Sequence, residues 1–181
     1  MNITTHIRGW LTAAVVGCCA ILLPGMALAA SAAPARPVPH VTAPGCETPG
    51  IVIWLDTSGN GAAGSVFYNL EFTNLSGHTC TLNGFPFINA VSLTGGLLGS
   101  RAEFDNSMTP HTVTLHQGQT VKAVLQIVDV GVLPASKCKP VTAAGLRVFP
   151  PNQTRAKVVP FPFGACSASG EVFMRVQPVT K

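Results

Sequence analysis

The sequence predicts an all-β domain, a two-layer antiparallel sandwich stapled by two disulfides. Three observations carry that expectation. From Cys46 onward, short β-type runs alternate with turns of glycine and small polar residues, and no segment carries a helical stripe. Four of the six cysteines lie beyond an N-terminal leader, an even set in a chain that reads as exported. Charged residues make up only 10% of the chain, well below the roughly one quarter usual for soluble domains. Serine, threonine and glycine must therefore supply much of the surface polarity, as in extracellular β proteins.

The leader comes first. Residues 1–8 form a short n-region with Arg8 as its fixed positive charge, and residues 9–23 are apolar. Pro24-Gly25 then breaks the helix and Ala27-Leu28-Ala29 offers a small-residue cleavage site, with Ala30-Ser31-Ala32 a second. An apolar run of about 15 residues falls short of the roughly 20 needed to span a bilayer. Residues 1–29 are therefore read as a signal peptide, cleaved after Ala29 or Ala32, and the mature chain as lacking a transmembrane segment. Val15-Val16-Gly17-Cys18 also fits a lipobox, which would make the product a lipoprotein anchored at Cys18. Against that reading, the residues after Cys18 stay hydrophobic where a polar tether is normal. Removing 29 of the 181 residues leaves 152, enough for one domain. Without Arg8, ten Lys and Arg face seven Asp and Glu. That mild, scattered surplus gives no support to nucleic-acid binding.

Residues 30–45 hold Pro34, Pro37, Pro39 and Pro44 among alanines, a linker or tether favouring extended, polyproline-like chain. Residues 46–181 are the sandwich domain. Residues 51–55 read as a first strand and 56–64 as its turn. Residues 65–73 give the clearest strand, with Val66, Tyr68, Leu70 and Phe72 on one face and Asn69, Glu71 and Thr73 on the other. Further strands are expected at 79–82, 87–93, 101–104, 112–115, 119–130, 146–149 and 171–176. Residues 134–144 read as a helical turn or irregular crossover. A sandwich fits this spacing best and a barrel is the alternative.

Cys46, Cys80, Cys138 and Cys166 allow three connectivities, and spacing alone leaves all three open. Topology favours one. A hairpin of 51–55 with 65–73 sets the residue before the first strand beside the residue after the second, pairing Cys46 with Cys80. The same local logic pairs Cys138 with Cys166 around the strand at 146–149. No C-x-x-C spacing suggests zinc or redox chemistry.

Phe72-Thr73-Asn74-Leu75-Ser76-Gly77 and Cys80-Thr81-Leu82-Asn83-Gly84-Phe85-Pro86 are less generic. Cys138-Lys139-Pro140, Leu146-Arg147-Val148-Phe149-Pro150-Pro151 and Cys166 follow in order. Together they resemble a family of small secreted or lipid-anchored actinobacterial proteins known only as a domain of unknown function. The resemblance implies an immunoglobulin-like β-sandwich. It transfers no catalytic or binding residue.

Chemistry-bearing groups are sparse. Glu103 and Asp105 would share a strand face, but on a surface strand such a pair is ordinarily solvated; Glu71 and Asp129 read the same way. There is no G-x-S-x-G turn to join with His40, His78, His111 or His116. Met108, His111 and His116 are the candidate ligands for copper or zinc, set against a surface hairpin on which they never converge. Phe161 and Phe163 form a candidate partner loop, stiffened by Pro160 and Pro162, unless both rings fold over an open end of the sandwich. The sequence thus points to an exported, monomeric, non-enzymatic binding module without a cofactor. Its expected partner is an extracellular or envelope protein or glycan. A secreted metal-binding protein and an enzyme of unrecognised type are the alternatives.

Overall fold

In a computed structural model, residues 42–181 are described. The leader, Cys18, His40 and most of the Pro/Ala-rich segment lie outside the described residues.

The first hairpin is β1 (Ile51–Ala62) and β2 (Ser65–Asn74). Next come β3 (Cys80–Leu82), β4 (Phe87–Val91), β5 (Leu97–Leu98), β6 (Glu103–Phe104), β7 (Val113–Leu115) and β8 (Thr120–Val128). A 3-10 turn at Val130–Val132 and the one-turn helix α1 (Ala135–Cys138) lead into β9 (Pro140–Phe149), β10 (Lys157–Cys166) and β11 (Met174–Val176). One sheet has the order β1-β2-β8-β11-β6 and the other β10-β9-β4-β5, while β3 and β7 form a two-stranded ribbon. Pairing is antiparallel apart from β11 with β6. The result is an all-β, immunoglobulin-like sandwich.

Alternation makes the core. Leu70 and Phe72 of β2, with Val121, Ala123 and Leu125 of β8, point inward from one sheet. Ile88 and Ala90 of β4, with Leu146 and Val148 of β9, meet them from the other. Each large apolar side chain buried this way contributes about 1.5–3 kcal/mol. Their partners on the alternate positions form the solvent faces.

Besides the extra short strand β5 and the later start of β11 at Met174, the strands differ from the sequence expectation in three places. Residues 56–64 are not all turn: β1 continues through a register shift between Asp56 and Asn60, and only Ala63 and Gly64 close the hairpin. The crossover expected at 134–144 shrinks to α1, because β9 already starts at Pro140. Residues 157–166 are not a loop but the edge strand β10, paired with β9 through a shift between Pro160 and Phe163. Proline survives there because an edge strand leaves part of its backbone unpaired.

The disulfides are Cys46–Cys80 and Cys138–Cys166. The first arises as the hairpin argument requires. Ile51 pairs with Asn74, and Cys46 N–H donates to the Thr81 carbonyl at 2.9 Å. The second has a different cause from the one inferred: β9 and β10 are themselves a hairpin in which Pro140 faces Cys166. In the turn after β3, Gly84 has φ +104, a left-handed conformation that favours glycine, and its carbonyl accepts from Val179 N–H at 3.0 Å. Phe85 stays outside the buried core and stacks on Phe104 at 4.5 Å, half-buried.

Candidate functional site at the mouth of the sandwich

At the end of the sandwich remote from Cys46–Cys80, the two sheets do not close. The inward faces of β2 and β8 end there in Val66, Tyr68 and Ile127, and the 3-10 turn places Val130 across the gap. β10 brings Phe163 and Gly164 from the opposite sheet. These residues line a predominantly apolar cavity of about 180 Å³. A recess of about 440 Å³ beside Glu47, Pro49 and Arg155 is larger but has no aromatic wall.

Aromatic packing sets the wall. Phe161 meets Tyr68 edge-on at 5.0 Å, Phe161 and Phe163 stack at 5.5 Å, and Phe163 leans toward buried Phe173 at 6.5 Å. Both candidate partner residues are therefore half-buried against the core and do not project as loop anchors. The register shift between Pro160 and Phe163 interrupts strict alternation here, and the stacking sets both rings on the same side. The rim is held by backbone: Asp129 N–H donates to the Gly64 carbonyl at 2.8 Å, and the Asp129 carboxylate accepts from Gly131 N–H at 2.9 Å. Exposed Val132 lies over Gly64. A wall this preorganised costs little to order when an apolar group enters.

The remaining candidates are dispersed. His111 and His116 flank β7, an odd number of residues apart, which on extended chain turns them to opposite faces. Met108 is 40% exposed and both histidines are exposed. His116 Nδ1 is 2.9 Å from Thr79 Oγ1. Among the described residues, no group of three or more His, Cys, Asp or Glu is gathered as a metal ion would require. Glu103 pairs with Arg175 at 3.4 Å on the surface. Hydrogen bonds from Gln177 and Ser107 hold the Asp105 carboxyl below the ordinary carboxylate range. Glu71 is pushed up by burial, against the opposing charge of Lys122.

Trp54, which sequence reasoning passed over, is 45% exposed. Its signal was present: it alternates with Ile51, Ile53 and Leu55, which are buried.

A family model described as a domain of unknown function, DUF4232, matches residues 46–180. The chain belongs to that family. No curated protein and no solved structure matches it. The matched span begins at Cys46 and includes both disulfides, the cavity and the Asn74 and Gly84 turns. Among the described residues, no helix is long and apolar enough to cross a membrane.

Proposed function

We propose that this DUF4232 chain is exported from an actinobacterial cell and acts there as a non-enzymatic binding module. Its mouth receives an apolar side chain of an envelope or extracellular protein. The aromatic-walled cavity between Tyr68, Val130 and Phe163 carries this reading. A pocket of that size suits one aliphatic or aromatic side chain, and its few polar neighbours suit anchoring more than bond-breaking. The leader and the two disulfides support an oxidising destination.

The test fills the cavity without removing its wall. Val130→Trp puts a large side chain across the mouth from the half-buried 3-10 turn. Wild-type and V130W proteins are used as bait against culture medium and envelope extract, with captured proteins identified by mass spectrometry. A protein retained by wild type and released by V130W, at unchanged thermal stability, is the expected result. Equal capture by both proteins would sink the reading.

A further inference from the structure

On a different surface, we propose that the outer face of the five-stranded sheet, centred on Trp54, binds a neutral linear polysaccharide. Strand register builds the platform in rows. Val52, Thr73 and Thr120 form one row, Trp54, Glu71 and Lys122 the next, and Asp56, Asn69 and Val124 the third. Val52 is 41% exposed. The Trp54 indole N–H donates to Thr73 Oγ1 at 3.3 Å, and Thr73 Oγ1 is bonded to Thr120 Oγ1 at 2.8 Å. A chain of three side chains across three strands thus fixes the indole before any ligand arrives, and rigid aromatic area binds at low ordering cost.

The polar groups around the ring are available. Among the described residues, no side-chain hydrogen bond or ion pair engages Glu71, Asn69 or Lys122, although Glu71 is half-buried and partly desolvated. A carboxylate, an amide and an ammonium therefore sit in adjacent rows with acceptor and donor capacity unused. On β2, Phe67 has the same outward parity as Glu71, about 13 Å further along at roughly 3.3 Å per residue. Phe67 is half-buried, so it edges the platform while Trp54 is its exposed ring.

Charge and area select the occupant. Asp56 and Glu71 face Lys122 alone, while Arg175 and Glu103 neutralise each other at 3.4 Å. Without a cationic surplus, the face does not complement a polyanion. A second copy of this chain needs about 800 Å² per partner with an apolar centre, and the exposed large apolar residues on this face are Val52 and Trp54, with Leu75 at its rim. A neutral sugar chain offers C–H faces to the indole and hydroxyl edges to Glu71, Asn69 and Lys122.

Trp10 lies in the leader, so Trp54 is the single tryptophan of the exported chain and its fluorescence reports on the platform directly. The exported, oxidised protein is run in gels containing soluble β-glucan, α-mannan or galactan, with hyaluronate and heparin as anionic controls. Retardation by at least one neutral polymer is expected, with a matching change in Trp54 emission. Trp54→Ala should weaken retardation at least tenfold, Trp54→Phe less, and V130W not at all, which separates this site from the cavity. Thermal melts confirm that each variant is folded. No retardation by any neutral polymer, equal retardation of W54A, stronger retardation by the polyanions, or a dimer dissolved by W54A would each overturn the proposal.

Discussion

Replacing Asn74 should be among the costliest single changes on this chain, and the cost can be worked out from its contacts. Asn74 is fully buried at the end of β2. Its Nδ2 donates to the carbonyls of His78 at 2.8 Å and Leu115 at 3.0 Å. Its Oδ1 accepts from the Ser76 N–H at 3.0 Å and the Ser76 hydroxyl at 2.7 Å. One side chain therefore knits the turn after β2 to β7. Asn74→Ala removes all four bonds and unties the turn from β7. At about 1 kcal/mol per bond, with partial rehydration of the turn, the loss is about 3 kcal/mol. That corresponds to a Tm decrease of about 10 °C for a domain of this size. Asn74→Asp is the sharper test. It keeps the acceptor but turns the donor edge into an oxygen facing two carbonyls, so the introduced carboxyl has its folded pKa raised. Such a group leaves stability intact below the unfolded carboxyl value and costs stability as pH rises through the folded value. N74D should therefore fall below N74A at pH 7 and recover as pH drops toward about 4. Urea unfolding followed by circular dichroism measures both. The reasoning fails if N74A costs under about 1 kcal/mol, or if N74D matches wild type at pH 7.

Other consequences are equally open to measurement. Converting Cys46 and Cys80, or Cys138 and Cys166, to alanine pairs frees loops with sequence separations of 34 and 28; each should cost about 3.5–4 kcal/mol in urea unfolding by chain-entropy reasoning. A Cβ on Gly145 would lie 2.4 Å from the Val159 carbonyl of the paired strand; Gly145→Ala should lower stability by about 1–3 kcal/mol, measured by thermal melt. Burial raises the Glu71 carboxyl, so Glu71→Gln should stabilise the protein at neutral pH, with the gain fading as pH falls through the raised folded value toward the ordinary 4.5. Asp105 has the opposite sign: its lowered carboxyl supports the fold above the ordinary 3.8, and that support should vanish in acid and in Asp105→Asn, read from paired pH–stability curves.

Much of the first sheet was legible because its strands announce themselves by alternation. In β2, Leu70 and Phe72 go inward with a period of two, and in β8 Val121, Ala123, Leu125 and Ile127 do the same. The second sheet was harder. β10 carries Pro160 and Pro162, residues that argue against a strand unless it lies at an edge, and nothing local says where an edge is. β9 opens with Pro-Val-Thr-Ala-Ala-Gly, whose small residues serve close backbone approach and carry little hydrophobic signal. The hairpin tip of β1 was read as turn because its glycines and small polar residues are exposed beyond the core. These misses hid the mouth. Tyr68 and Phe163 were each visible, but only the β9–β10 pairing brings them to one cavity. Trp54 is hard to single out for the opposite reason: one outward residue on an evident strand carries no local signal that separates it from ordinary surface.

The Cys46–Cys80 link also fixes how tension travels. A pull applied ahead of Pro44 reaches Cys46 and crosses the disulfide to Cys80. Residues 47–79, and with them the whole β1–β2 hairpin, carry none of it. Cys138–Cys166 short-circuits the β9–β10 hairpin in the same way. In a chain pulled from both ends, the covalent load path runs up to Cys46, from 80 to 138 and from 166 onward. The β1–β2 hairpin that displays Trp54 and the β9–β10 hairpin are thus bypassed by the covalent load path, while the Ile127 and Val130 wall of the mouth lies on it.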